Sequence, residues 1–354
     1  KNIIKKNKIN AVHEPYFDNK EKKILKECIQ KNEVSSVGKY RENFEKLISK
    51  FTGSKYVIST STGTSAIHLA LKAIGVKKGY EIIIPSLNFV ASANAILYCN
   101  AIPHFVDINP KNLAIDPSLL ENYLKKIALI KNNKCINKRT NKIIFAVVPV
   151  YVFGNSYDID DLKRVCKKFK LKIIEDAAEA LGTFYKKKHA GTFGDAGCLS
   201  FNGNKIITTG GGGALITNDQ VLADNARHKT TTAKRAHPWL YIHDEIGYNY
   251  RLPNLNAALG CAQMAKLDKY LESKRSLADA YADWFAHRGV EFVREPEHAM
   301  SNYWLNAIIC PDTASRDHML EQTNSAGVMT RPIWQLMHRL PMFENALRGD
   351  LTQS

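Results

Sequence analysis

The sequence contains no Cys-x-x-Cys pair, and its seven cysteines, at 28, 99, 135, 166, 198, 261 and 310, are widely scattered. An odd and dispersed set excludes a disulfide-stapled scaffold and fits a reducing compartment. No stretch approaches the roughly 18 consecutive apolar residues of a spanning helix, so no membrane segment is expected. The N-terminus is charged and lacks the apolar run of a secretory leader, and the expected location is cytoplasmic. No internal repeat and no long low-complexity tract occurs, which excludes solenoids and repeat arrays. The first Ser/Thr-rich turn lacks the Gly-Lys-Ser/Thr of a nucleotide-binding phosphate loop. Tryptophan is absent before residue 239; the four tryptophans, at 239, 284, 304 and 334, all fall late and read mostly as core.

What is present is a chain of 354 residues, 45% hydrophobic, long enough for a large core and a smaller companion domain. The formal charge is +16 but very uneven. Residues 1–235 carry 39 Lys and Arg against 20 Asp and Glu, whereas residues 236–354 carry 11 against 14. The division is therefore placed between 235 and 236. The lysines stand in spaced or local clusters such as Lys186-Lys187-Lys188 and read as solvated faces, so no nucleic-acid partner is expected.

Residues 1–12 read as a polar arm, followed by helices over 17–32 and 41–51. From Tyr56 to Lys229, short apolar strands alternate with helical patterns. Strands are expected at 56–58, 81–84, 102–106, 143–150, 171–174 and 214–217, with helices at 66–74, 90–98, 119–130, 160–170 and 219–229. The Lys/Asn-rich stretch after residue 130 reads as a surface loop. Such alternation predicts a mostly parallel sheet covered on both faces. Beyond it come helices over 256–270 and 274–288, strands at 290–293 and 306–309 in a small separate sheet, and a helix over 315–326 stopped by Gly327.

Lys205 is the singular residue. It follows Ser200-Phe-Asn-Gly-Asn and precedes Ile-Ile-Thr-Thr and four glycines, residues 210–213. Glycines admit positive φ and close approach, and an amine held in such a setting can act as a Schiff-base nucleophile. Thr64 and Ser65 close a small-residue turn at a helix start, which serves either as a plain N-cap or as an anion site. Phe89, just past a strand end, fits either the core or a role covering a planar ring. Asp176 ends a strand in Glu175-Asp-Ala-Ala-Glu179. It reads either as a cap or as a carboxylate holding a proton on a ring nitrogen, with Glu179 facing the same place.

In their order, Ser61-Thr-Gly-Thr-Ser65, Pro85 with Phe89, Glu175-Asp-Ala-Ala-Glu179, Ser200 with Lys205, the glycine run and Gly247-Tyr-Asn-Tyr-Arg251 resemble the DegT/DnrJ/EryC1/StrS sugar aminotransferases. The resemblance covers about residues 10 to 345. It implies a fold-type I pyridoxal-phosphate transferase, similar to aspartate aminotransferase. The expected architecture is α/β: a mostly parallel seven-stranded sheet in an α/β/α large domain, with a smaller C-terminal α+β domain. It implies pyridoxal 5′-phosphate carried on Lys205, with Asp176 on the pyridine nitrogen and Phe89 stacked on the ring. The Thr64 and Ser65 amides and the Ser200 hydroxyl would hold the phosphate. Asn249 would reach the phosphate in a neighbouring subunit, so a homodimer with shared sites is expected. Glu179 stands where many relatives carry glutamine or histidine, which leaves its role open. Arg331 and His338 fall in the segment that frames the substrate pocket. No metal is expected.

The lysine segment with Asp-Ala-Ala-Glu looks most like the subgroup named for legionaminic acid synthesis. By that resemblance, L-glutamate would aminate C4 of a UDP-linked 4-keto-6-deoxy-2-acetamido sugar, toward a nonulosonic acid, bacillosamine or another surface glycan. The alternatives are another nucleotide keto sugar, as in a perosamine-type route on GDP or dTDP, or a non-catalytic sensor or assembly protein on the same fold. A dehydratase of the family would carry histidine in place of Lys205. Relatives usually run on past Leu351-Thr-Gln-Ser354, which reads as a truncation.

Overall fold

The computed structural model describes residues 9–354; residues 1–8, most of the expected polar arm, lie outside the described residues. Asp18 opens α1 (Asn19–Gln30) with a capping box, accepting the Lys20 amide while Glu21 reaches back to the Asp18 amide. After α2 (Lys39–Thr52) come β1 (Tyr56–Thr60), α3 (Gly63–Ala73), β2 (Glu81–Pro85), α4 (Ala91–Tyr98), β3 (Ile102–Val106) and α5 (Pro117–Ile127). The middle of the chain forms β4 (Ala128–Lys131), β5 (Lys134–Asn137), β6 (Ile143–Val147), α6 (Ile159–Phe169) and β7 (Lys172–Asp176). Next are β8 (Phe184–Tyr185), β9 (Lys188–His189), β10 (Ala196–Ser200), β11 (Gly213–Thr217) and α7 (Gln220–Thr230). The last part holds α8 (Asn254–Met264), α9 (Leu267–Phe285), β12 (Glu291–Phe292), β13 (Ala299–Met300), β14 (Ile308–Ile309), α10 (Thr313–Ser325) and β15 (Leu347–Arg348).

The main sheet runs β1-β11-β10-β7-β6-β2-β3-β15. From β10 to β15 all neighbours are parallel; β11 alone runs against both β1 and β10. Six of these strands, β1, β2, β3, β6, β7 and β11, fall where strands were expected; β10 adds a seventh, and β15 and the β4–β5 hairpin extend the sheet to ten. One face packs on α1, α2, α5, α6 and α8 through Cys28, Phe44, Ile48, Leu124, Val165 and Ala258. The other packs on α3, α4 and α7 through Leu69, Ile96 and Ala226. Burial on both faces explains why the strands are continuously apolar instead of alternating.

Some expectations need correction. The helix expected to reach residue 130 ends at Ile127, and the supposed surface loop is the β4–β5 hairpin. Asn132 and Asn133 both sit at positive φ (50° and 58°), the turn geometry that matches strand twist. The expected break between the last long helices moves forward, because α8 stops at Met264. Trp239 and Trp284 are not core but 77% and 59% exposed. Trp239 lies in an exposed segment after α7, while Trp284 stacks under the Arg288 guanidinium at 3.7 Å. The small sheet is slight: β12 pairs with β14 over two residues, covering Ala278 and Ala282 of α9 with Phe292 and Tyr303. Among the described residues, no helix is long and apolar enough to cross a membrane.

The composition break at residue 235 falls in that exposed segment, and α8 beyond it returns to α1 and α2. Gly38, the residue before α2, offers no side-chain cap. Fully buried Asn254 caps the helix instead, its Oδ1 accepting the Tyr40 amide at 2.9 Å and the Arg41 amide at 3.3 Å. Its Nδ2 donates to the Glu33 carbonyl at 2.8 Å. Gly38 has φ 144°, and a Cβ there would lie 2.4 Å from Asn254 Cγ, so glycine is required. Asn254→Ala strands buried amides and should destabilise the protein by about 2 kcal/mol. Gly38→Ala should destabilise it as well. Denaturant unfolding measures both, and unchanged midpoints would refute the tertiary cap.

Candidate active site

Strands β1, β2, β7 and β10 all end at one edge of the sheet, the edge where open parallel sheets gather ligand groups. β7 ends in Asp176, and Glu179 lies on its exit turn. β10 ends in Ser200, and the next turn brings the Lys205 amide back to the Asn202 carbonyl at 3.0 Å. β2 gives way to Phe89, and β1 to the start of α3.

Lys205 is mostly enclosed, with Nζ donating to Glu179 Oε1 at 3.0 Å. The same ammonium lies 3.8 Å from the ring centre of Trp304. The Trp304 indole N–H donates to the Asn204 carbonyl at 2.6 Å, which fixes the ring to the lysine's own turn. Trp304 arrives through a small three-stranded sheet in which β13 pairs with β8 and β8 with β9. Between β13 and Trp304, Asn302 donates to the Glu179 and Leu181 carbonyls at 2.7 and 3.0 Å. Gly154 makes room for Asn302, since a Cβ there would sit 1.9 Å from Asn302 Oδ1.

Glu179, whose role the sequence left open, is thus the ion-pair partner of Lys205. It also accepts the Phe153 amide at 2.8 Å, and Phe153 adopts φ 56° to aim that amide. Burial pushes the Glu179 carboxyl up, and the Lys205 charge pulls against it. Asp176 is 6% exposed and, among the described residues, accepts only the Ser92 hydroxyl and, at 3.1 Å, the Ala178 amide. Among the described residues no cation lies within ion-pair distance of it, and burial pushes its carboxyl up as well. Neighbouring Glu175 is a scaffold group: it accepts the Tyr151 hydroxyl and the amides of Gly191, Phe193 and Gly194.

At the start of α3, the cap is Thr62 and not the expected Thr64 or Ser65. Thr62 Oγ1 accepts the Ser65 amide at 2.9 Å, and among the described residues the Gly63 and Thr64 amides have no protein acceptor. Ser200 lies against this turn, since a Cβ on Gly63 would be 3.0 Å from Ser200 Oγ. The glycine run supports the approach: a Cβ on Gly213 would come 2.4 Å from the Thr62 carbonyl oxygen. Phe89 is 53% exposed and begins an aromatic row. Trp334 is 5.9 Å from it, Phe153 is 5.2 Å from Trp334, and Trp304 is 6.3 Å from Phe153.

Lys205, Asp176, Glu179, Ser200, Thr64 and Ser65 therefore gather at one edge, with Phe89 at the end of the aromatic row. Among the described residues, Asn249, Arg331 and His338 make no hydrogen bond or ion pair with Lys205, Asp176 or Glu179. Asn249 is exposed and bridged to Thr231, on the wall of a cleft of about 740 Å³ shared with Lys234, Arg235 and Arg251. Arg331 is exposed and donates to the Asn324 side chain and the Thr330 carbonyl. His338 lies in a short turn whose Met337 amide donates to the Ser86 carbonyl at 2.8 Å; its Nδ1 is buried without a partner among the described residues. Sequence reasoning missed Phe153 and Trp304, whose link to Lys205 is purely tertiary. Pyridoxal phosphate suits this donor set. The free Gly63 and Thr64 amides suit a phosphate, unpaired Asp176 suits a ring nitrogen, and Lys205 suits a carbonyl carbon.

A model of the DegT/DnrJ/EryC1/StrS aminotransferase family matches residues 15–354. EpsN of Bacillus subtilis (strain 168), named as a pyridoxal phosphate-dependent aminotransferase, is 36% identical, with 94% of this chain and 83% of the relative aligned. A GDP-perosamine synthase of Vibrio cholerae is also 36% identical, over 94% of this chain and 87% of that protein. The solved structure of Helicobacter pylori PseC, an aminotransferase of pseudoaminic acid biosynthesis, superposes with TM-score 0.86 at 25% identity, covering 96% and 88% of the two chains.

A carboxyl whose pKa folding raises holds its proton more tightly when folded. It therefore weakens the fold as pH climbs from the ordinary carboxylate value, about 4, through the raised one. Asp176→Asn removes that cost while an amide can still bond to Ser92. The cofactor-free variant should melt higher than wild type at pH 7, with the gain shrinking toward pH 4. A lower melting temperature at pH 7 would contradict the buried, unpaired charge.

Proposed function

The chain belongs to the DegT/DnrJ/EryC1/StrS aminotransferase family, and on that footing we propose that it moves the amino group of L-glutamate to C4 of a nucleotide-linked 4-keto-6-deoxy sugar. Enzymes of this family are sugar aminotransferases, and their cofactor is pyridoxal 5′-phosphate. The observation that carries the reading is the juxtaposition of Lys205, paired with Glu179, and buried Asp176, which among the described residues has no cation partner. When bound, the cofactor supplies the electron sink for breaking a C–H bond beside nitrogen.

Lys205 Nζ would hold the cofactor covalently, and as a free amine it would take the substrate proton and return it. Asp176 holds a proton on the ring nitrogen. The Gly63 and Thr64 amides, with the Ser65 and Ser200 hydroxyls, bind the phosphate. Glu179 orients Lys205 Nζ, which keeps it close to the reacting carbon. Phe89 covers the ring. Asn249 completes the phosphate site of a second subunit, which suits its exposed position and makes the working unit a homodimer. Arg331 and His338 belong to the pocket wall.

For the acceptor we favour a UDP-linked 2-acetamido sugar, on the likeness of the lysine segment to the legionaminic subgroup. A GDP-linked acceptor is the second reading, supported by relatives named GDP-perosamine synthases at 34–36% identity. A panel of UDP-, GDP- and dTDP-linked 4-keto sugars with L-glutamate, products read by mass and NMR, decides among them. Lys205→Ala should bind cofactor and abolish 2-oxoglutarate formation. Transamination by that variant at a near-normal rate would overturn the assignment.

A further inference from the structure

Trp304 is held by every polar atom it has. Its amide donates to Asn302 Oδ1 at 2.8 Å, its carbonyl accepts Lys274 Nζ at 2.9 Å, and its indole N–H donates to the Asn204 carbonyl at 2.6 Å. The pins come from the segment after β13, from α9 and from the lysine's own turn, so the plane of the ring is set from three sides. The residue is 3% exposed, with Phe153 tilted against it at 6.3 Å. Above that fixed face lies the Lys205 ammonium, 3.8 Å from the ring centre. An ammonium has three N–H bonds to place, and one of them goes to Glu179 Oε1 at 3.0 Å. The two partners of Lys205 differ in kind. A carboxylate binds one N–H and competes for its proton. An indole face attracts positive charge through its quadrupole and has no lone pair with which to take a proton. An amine that collects a proton at one carbon and returns it at another is well served by such a surface. It steadies the charged form and leaves the proton transferable.

We propose that Trp304 is a positioning residue whose ring holds the Lys205 ammonium between the two proton transfers of each half-reaction. In the first transfer the substrate C–H bond breaks, the lone pair of the neutral amine takes the proton, and the electron pair of the broken bond passes into the bound cofactor. The ammonium then rests over the indole. In the second transfer its N–H bond breaks, the proton joins an electron pair at the second carbon, and the neutral amine returns. The inference rests on the aminotransferase reading above.

The test uses holoenzyme with Trp304→Leu and Trp304→Phe in the L-glutamate half-reaction. Trp304→Leu should lower kcat roughly 3- to 30-fold, the worth of one cation–π contact, while KM stays within about twofold. The slowed step should show a primary isotope effect with α-deuterated L-glutamate at least as large as that of wild type. Trp304→Phe keeps a π face and should recover part of the rate. A second measurement leaves residue 304 in place. A charge this close to an indole shifts its emission, so Lys205→Met in cofactor-free protein should shift the tryptophan emission, and the shift should vanish in a Trp304→Phe background. A loss confined to KM, a smaller isotope effect, Trp304→Phe no faster than Trp304→Leu, or an emission unchanged by Lys205→Met would overturn the inference alone. A wild-type holoenzyme that forms no 2-oxoglutarate from L-glutamate would overturn the functional reading and this inference with it.

Discussion

Three carboxylates within five residues are buried at the end of β7, and among the described residues one ammonium alone pairs with any of them. Buried charge is tolerated only where something answers it, and each of the three has a different answer. Glu175 is surrounded by a hydroxyl and three amides, which fixes the loop leading into β10. Glu179 is answered by Lys205 and by the amide of a residue held in a left-handed conformation. Asp176 is answered least, and its shortfall is what a protonated ring nitrogen would fill. The carboxylates along this single strand exit therefore range from fully hydrogen-bonded, through ion-paired, to least satisfied.

Close backbone approach is the second constraint. The α3 turn, the end of β10 and the start of β11 crowd together, and side chains are omitted where they meet. The glycine run serves mostly this purpose. Of Gly210 to Gly213, Gly210 alone has positive φ (80°), while Cβ atoms on Gly212 and Gly213 would collide with Thr209 Oγ1 and the Thr62 carbonyl. The antiparallel β11 is what returns the chain across this edge after Lys205.

Much of this was legible in the sequence because it is local. Apolar strands alternating with capped helices mark the sheet, and Asp176, Glu179, Ser200 and Lys205 each lie at or just beyond a strand end. What escaped is long-range. Nothing around Trp304 or Phe153 marks them as neighbours of Lys205; they arrive through the β13–β8 pairing and through a left-handed residue after β6. The β4–β5 hairpin was hidden because its polar residues suit an exposed edge as well as a loop, and only backbone geometry at Asn132 and Asn133 separates the two. Charge clustering marked Lys186, Lys187 and Lys188 as solvated, and they are exposed, whereas tryptophan content did not separate buried Trp304 from exposed Trp239 and Trp284.

The cap that Asn254 supplies to α2 also sets an order of events during synthesis. The acceptor for the Tyr40 amide lies 214 residues further along the chain. At roughly 5–20 residues per second, α2 would wait roughly 10–40 s after emerging before its first turn could be closed. Its partners Phe201 and Gly260 are also late arrivals. The N-terminal pair of helices is thus among the last elements packed on the main sheet to lock, and the nascent chain exposes the apolar face of α2 until α8 emerges to cover it.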